Sequence, residues 1–251
     1  MKTIIFSPTG GTKKVADILA SVFEKDYDVI DLMPKKMDDE KLDIPSDQLC
    51  IIAVPSFGGR VPATAVKRIR NIKGNGARAI IVAVIGNRAF DDTLIELKDV
   101  AESCGFNVIA AISANAEHSI VREIGSGRPD PVDKAELEGF ADLIKHNLEY
   151  GLAMKADVPG NHAYKEYNGV PAKPIVTAAC KECGLCSFKC PVGAIKFDNP
   201  KETDYNLCIS CMRCIASCPK KARKVDDNIM AAVGQMLKDV CPVRQKNEIF
   251  C

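Results

Sequence analysis

The chain has no apolar run near the ~20 residues that span a bilayer. It also has no surplus of charge: 34 basic and 33 acidic side chains leave a formal net charge of +1 over 251 residues. The first absence excludes a membrane-spanning helix. The second excludes bulk polycation binding to nucleic acid or to a membrane surface. The opening MKTIIFSPTGG has an apolar stretch too short for the core of a signal peptide, with no cleavage pattern after it. The expected compartment is therefore the cytoplasm. Tryptophan is absent as well, so any flat ligand must be met by phenylalanine or tyrosine. A hydrophobic content of 47% is enough to bury a core. The length suits one ordinary domain plus a smaller one.

What the chain has in quantity is cysteine. Twelve are present, and eight of them fall between Cys180 and Cys218. A reducing compartment keeps thiols out of disulfides, so clustered thiolates point to metal ligation. The order is Cys180-x2-Cys183-x2-Cys186-x3-Cys190-Pro191, then Cys208-x2-Cys211-x2-Cys214-x3-Cys218-Pro219. The second run repeats the first 28 residues later, and Ala194 with Ala222 and Phe197 with Val225 keep the same register. The segment is an internal duplication. Zinc closes a tetrahedron from separated pairs and suits two doubled triplets badly. The spacing is instead that of bacterial iron–sulfur ligation.

On these cysteines, residues 175–225 resemble a bacterial-type ferredoxin, a small α+β domain holding two [4Fe–4S] clusters. The resemblance implies crossed ligand sets, because the proline turns the chain away and sends the fourth cysteine to the other cube. One cluster would take Cys180, Cys183, Cys186 and Cys218; the other Cys208, Cys211, Cys214 and Cys190. One position departs from the pattern: the apolar residue after the alanine is Ile195 in the first half and Arg223 in the second. A cation there would favour the reduced cluster. A solvated surface arginine is the competing expectation.

The first 150 residues alternate apolar strands (2–6, 27–31, 49–54, 79–85 and 108–112) with amphipathic helices. Val15, Ile18, Leu19, Val22 and Phe23 make one helical stripe; Leu137, Phe140, Ala141, Ile144 and Leu148 make another. Unbroken apolar strands are those of a parallel sheet covered on both faces. The expectation is an α/β domain, a doubly wound five-stranded parallel sheet. Ligands of such sheets sit beyond the C-terminal strand ends. Three loops there carry suitable chemistry. Ser7, Pro8, Thr9, Gly10, Gly11 and Thr12 offer hydroxyls and glycine amides at a helix start, which suit a phosphate monoester. Pro55, Ser56, Phe57, Gly58, Gly59 and Arg60 follow the third strand. Gly86, Asn87, Arg88, Ala89, Phe90 and Asp91 follow the fourth. Each later loop pairs an aromatic with glycine backbone, as a flat ring system would require. Ordinary glycine turns with half-buried phenylalanines are the plainer alternative.

Taken together, residues 1–150 resemble a flavodoxin, with Ser7, Thr9, Gly10 and Thr12 matching its phosphate loop. The resemblance implies FMN, flanked by residues 55–59 and 86–91. Phe57 and Phe90 are the candidates to stack on the flavin. Gly58 would be the position whose peptide turns to meet the one-electron-reduced ring, at little steric cost. The order of the two parts is similar to the flavodoxin/ferredoxin fusion proteins of strict anaerobes.

Residues 151–174 read as a linker and 226–251 as a C-terminal helix and tail. Tyr164 and Tyr167 either pack against the flavin domain or staple the linker to a surface, the staple being the favoured expectation. Cys50, Cys104, Cys241 and Cys251 receive no ligand role. Residues 1–150 carry 19 basic and 23 acidic side chains, and residues 151–251 carry 15 and 10. Lys220, Lys221, Arg223 and Lys224 form a candidate docking patch. Flavins handle electrons singly or in pairs and iron–sulfur cubes handle them singly. The resulting expectation is an electron-transfer protein serving an external redox donor or acceptor. An FMN-dependent reductase of a small organic substrate, fed by its own ferredoxin domain, is the alternative. Monomer and homodimer are both open.

Overall fold

In the computed structural model, residues 1–241 and 243–251 are described. The first part runs β1 (Lys2–Ile5), α1 (Gly11–Phe23), β2 (Asp28–Asp31), β3 (Leu42–Asp43), β4 (Leu49–Pro55), α2 (Ala63–Ile69), β5 (Ile72–Lys73), β6 (Arg78–Ile85), α3 (Thr93–Ser103), β7 (Asn107–Asn115) and α4 (Pro131–Glu149). The second runs β8 (Pro174–Val176), α5 (Leu185–Lys189), α6 (Arg213–Ala216), β9 (Arg223–Val225), α7 (Asp227–Val240) and β10 (Glu248–Phe250). Among the described residues no helix is long and apolar enough to cross a membrane.

The main sheet has the order β10-β7-β6-β4-β1-β2. Its five long-expected strands pair in parallel. Their order along the sheet is the 2-1-3-4-5 of a flavodoxin-like fold, whose switch point lies between β1 and β4. The strands are unbroken apolar runs because both faces are covered. Along β4, Cys50, Ile52 and Val54 face one core with Ile69 of α2 and Leu94 and Leu97 of α3. Ile51 and Ala53 face the other, with Val15 and Leu19 of α1 and Leu137 and Ile144 of α4. A capping box of Asp130 and Asp133, with Pro131 in the first turn, starts α4.

The sheet corrects the expected five strands to six. Residues 248–250 pair antiparallel with β7, with Ile249 opposite Ile112 and Phe250 opposite Ala111. The C-terminal tail thus covers an edge that would otherwise stand open. It is fixed by side chains too: Arg244 meets Asp130 and Asp133 at 2.7 and 2.9 Å, and Asn247 donates to Asp133 at 3.0 Å. Helix α7 packs Val233 and Leu237 on Val121.

The segment 151–174 is anchored along much of its course. The amides of Asn161 and Lys165 donate to Asp92 at 2.9 and 2.7 Å. The Tyr164 hydroxyl donates to Asp99, and its ring lies 4.9 Å from the Arg60 guanidinium. The surface the segment is stapled to is that of the flavodoxin-like domain itself, and the Tyr167 ring lies against Gly58 of the same domain.

The duplication in the cysteine sequence recurs in the backbone. Positive φ falls on Glu182 and Ser210, on Gly184 and Met212, and on Gly193 and Lys221, each pair separated by the same spacing as the cysteines. Helices α5 and α6 start just after the second of these positions. Alternation of right- and left-handed residues turns successive N–H groups into a concave nest, a form suited to iron–sulfur sites.

Candidate functional site

The three predicted loops converge beyond the C-terminal ends of β1, β4 and β6. They wall a partly open groove of about 100 Å³. Thr9, Gly11, Thr12, Pro55, Ser56, Phe57, Gly58, Gly86 and Arg88 line it. So do Ala116, Glu117, His118 and Ser119, the turn after β7. That turn was not among the candidate cofactor-binding residues; its place after the next parallel strand was the signal for it.

Helix α1 is built to receive an anion. Its N-cap is Gly10, with φ +97° and no side chain to cap the first turn. The Lys13 amide is taken by Ser7 Oγ at 3.0 Å. The amides of Gly11 and Thr12 have no intrahelical acceptor, and both residues line the groove. Thr12 is only 4% exposed. At the other wall Gly58 has φ +62°, and a Cβ there would stand 2.4 Å from the Tyr167 ring. A Cβ on Gly86 would stand 2.5 Å from the His118 ring. Neither position accepts a larger residue without displacing its neighbour.

Six predicted residues do not line this groove. Ser7 and Gly10 face a separate recess of about 390 Å³. Asn87 is 7% exposed and spends its side chain on the tail: it donates to the Val243 carbonyl at 2.9 Å and accepts from the Gln245 amide at 2.9 Å. Phe90 packs on the core and against Phe250, ring centroids 6.2 Å apart. Asp91 pairs with Arg88 and Lys165 at 2.6 and 3.0 Å, directly beside Gly59. Phe57 is left as the phenylalanine at the groove. These residues were grouped by loop; tertiary partners far along the chain turn them elsewhere.

His118 accepts the amides of Ile120 and Val121 at its Nδ1, at 3.2 and 3.0 Å. Burial, and then the charge of Arg88, push its pKa down to about 4. In an unfolded chain the ring takes a proton near pH 6.5. Between these values the unfolded state holds more protons, so the contribution of His118 to stability falls as pH falls through the window and is gone below about 4. His118→Gln is expected to flatten that decline, as measured by thermal unfolding at pH 7 and pH 5. An unchanged difference between the two pH values would contradict it.

The eight clustered cysteines sit on the duplicated turns. Cys190 Sγ accepts the Ala194 amide and Cys218 Sγ the Ala222 amide, each at 3.3 Å. Burial pushes the Cys211 thiol up to about 12; the Arg213 amide opposes this, and neighbouring Cys214, Cys190 and Cys208 add to it. Cys214 is likewise pushed up to about 12, first by burial, with Arg223 opposing. Among the described residues no three of His, Cys, Asp and Glu converge as they would on a single metal ion. Cubes spread their thiolates more widely, and the donor set of eight cysteines on backbone nests fits them. Arg223 is 3% exposed, which corrects the expectation of a solvated arginine. Its Nη1 donates to Thr203 Oγ1 at 2.9 Å and its Nη2 to the Pro200 carbonyl. It leaves the proposed patch with Lys220, Lys221 and Lys224.

Two arginines join the halves. Arg68 of α2 is fully buried. Its Nε donates to Asp38 Oδ1 at 2.7 Å and its Nη1 to the carbonyls of Leu32 and Met33 at 2.7 and 3.0 Å. Its Nη2 donates to the carbonyl of Pro191, next to Cys190, at 2.6 Å. Arg213, between Met212 and Cys214, donates to the carbonyls of Ser7 and Pro8 at 3.1 and 3.3 Å. The second cysteine run is therefore fastened to the very loop that opens α1.

A flavodoxin-like sheet followed by duplicated cysteine runs defines an iron–sulfur protein of electron transfer or related redox chemistry. Residues 178–223 match the 4Fe–4S dicluster domain family. A ferredoxin-like protein in the nif region of Rhizobium leguminosarum bv. trifolii is 36% identical over 52 residues, covering 18% of this chain and 81% of that protein. The trichloroethene reductive dehalogenase of Dehalococcoides mccartyi is 34% identical over 91 residues; these span 29% of this chain but only 15% of that protein. Among solved structures, the flavodoxin of Fusobacterium nucleatum bound to flavin mononucleotide is 15% identical, with a TM-score of 0.39, over 58% of this chain and 96% of that one. The chain belongs to the 4Fe–4S dicluster ferredoxins and carries that domain fused to a flavodoxin-like one.

Proposed function

We propose that the chain is an electron carrier in which two [4Fe–4S] clusters and FMN exchange electrons with an external redox protein. The clusters supply one-electron steps and the flavin joins them into two-electron steps. Cys180, Cys183, Cys186 and Cys218 would hold one cluster, and Cys208, Cys211, Cys214 and Cys190 the other. The amides of Gly11 and Thr12 and the hydroxyls of Thr9 and Thr12 would hold the phosphate. Phe57 and the backbone at Gly58 and Gly86 would flank the ring. We take 1–150 as the flavin domain, 151–174 as its connection, 175–225 as the ferredoxin domain and 226–251 as the helix and tail. The observation that supports the reading is the double fastening of the halves: Arg213 ties the second cysteine run to the loop that opens α1, and Arg68 ties the end of the first run, at Pro191, to α2.

Thr12→Ala is expected to weaken FMN binding about tenfold, the loss of one hydrogen bond to a charged group at about 1.5 kcal/mol. Flavin fluorescence titration of the flavin-stripped protein measures it. Unchanged affinity would remove Thr12 from the phosphate site.

A second reading has one observation in its favour. A cleft of about 980 Å³ is lined by residues of α2, by Tyr164 and Tyr167, and by Phe57 and Cys208. That is at the upper end of the size of small-molecule sites. A reductase would place its substrate there. Steady turnover with a small organic acceptor but none with redox proteins would select this reading.

A further inference from the structure

Deepening the electron-carrier reading on which it rests, we propose that a composite surface made by both domains docks an acidic redox protein. The surface is a groove of about 770 Å³. From the flavodoxin-like domain come Lys35 and Lys36; from the ferredoxin domain come Phe188, Lys189, Lys196 and Phe197.

Its chemistry is one-sided. With Arg213 at its inner end it holds five cationic side chains against one carboxylate, Asp31. Lys36 is engaged by Glu40 at 3.2 Å. Lys35, Lys189 and Lys196 are in no ion pair among the described residues, and their charge faces solvent or the groove. The Lys35 ammonium lies within 3.1 Å of where a Cβ on Gly193 would be, so the two domains meet inside the patch rather than at its border. Two large aromatics stand out of it: Phe188 is 70% exposed and Phe197 68%. Exposed rings ringed by like charge are the mark of a docking surface rather than of a solvated face. Aromatic anchors supply the contact, and the lysines select and steer a partner of opposite charge.

The groove also reaches the redox centre. Cys190 lines it, so a protein seated on Phe188 and Phe197 lies against a candidate ligand of the second cluster. Arg68 grips Pro191 just behind. The halves must stay joined for the patch to exist, since Lys35 and Lys196 come from different domains.

The test uses the anaerobically loaded, reduced full chain in stopped flow. Its oxidation is followed with an acidic plant-type ferredoxin, with basic cytochrome c and with a neutral soluble quinone. The ferredoxin rate is expected to fall steeply as salt rises from 20 to about 200 mM, where surface charges are screened within about 8 Å. Lys35→Glu/Lys36→Glu, both remote from the cysteines in sequence, is expected to slow the ferredoxin reaction at least tenfold at low salt. It should quicken the cytochrome reaction and leave the quinone rate unchanged. Phe197→Ser is expected to slow ferredoxin at least fivefold with the salt slope retained. Equal ferredoxin rates in the lysine variant and the natural chain would overturn the docking surface. A chain that reduces none of the three acceptors, with iron and flavin in place, would instead sink the electron-carrier reading beneath it.

Discussion

Cys190→Ala is expected to remove the second cluster and spare the first, although Cys190 lies in the first cysteine run. Iron and sulfide should fall together from about eight to about four atoms per chain. The reason is local. In the proposed crossed sets Cys190 closes the cluster of Cys208, Cys211 and Cys214, and it is followed by Pro191, whose carbonyl Arg68 holds. Cys218→Ala is expected to give the complementary loss. Electron paramagnetic resonance of the two reduced variants should show different remaining signals, because a different cube is left in each. If Cys190→Ala instead lost the same signal as Cys183→Ala, each run would close its own cluster.

The second large effect is expected at Arg68. Arg68→Met takes away a buried cation and leaves Asp38 and the carbonyls of Leu32, Met33 and Pro191 without their donor. Removing one partner from such an arrangement costs about 3–5 kcal/mol; the partial exposure of Asp38 places the expectation near the lower end of that range. The readouts are the urea unfolding midpoint and trypsin cleavage of the segment 151–174, which should become faster as the ferredoxin domain detaches. Arg68→Lys keeps the charge but not the fork of donors and should recover only part of the loss. Natural-chain stability in Arg68→Met would show that docking lies elsewhere.

The cysteine duplication was legible down to its register, because ligand spacing is a property of the chain itself. The doubly covered strands were legible for a similar reason: Ile51, Ile52, Ala53 and Val54 leave no polar face to read as exposed. Helix α2 was not. It is seven residues long, and one of its three buried side chains is Arg68, which a hydrophobic pattern counts as solvent-facing. Strand β10 is three residues long, below what alternation can register. Asn87, Phe90 and Asp91 were placed at the flavin by their loop; the tail, the core and Lys165 claim them instead. Arg223 was open between a cation near a cluster and a solvated side chain, because its acceptors, Thr203 and the Pro200 carbonyl, are supplied only by the folded chain.

The return of residues 248–250 to the edge of β7 has a mechanical meaning. The polypeptide leaves the large sheet after α4 and comes back to it at β10, so the cysteine-rich unit hangs from two supports instead of one. A module on a single leash can swing out to visit partners. One pinned at both ends, with Arg68 as a bolt between them, can only rock in place. For the proposed electron carrier, the travelling would then fall to the partner.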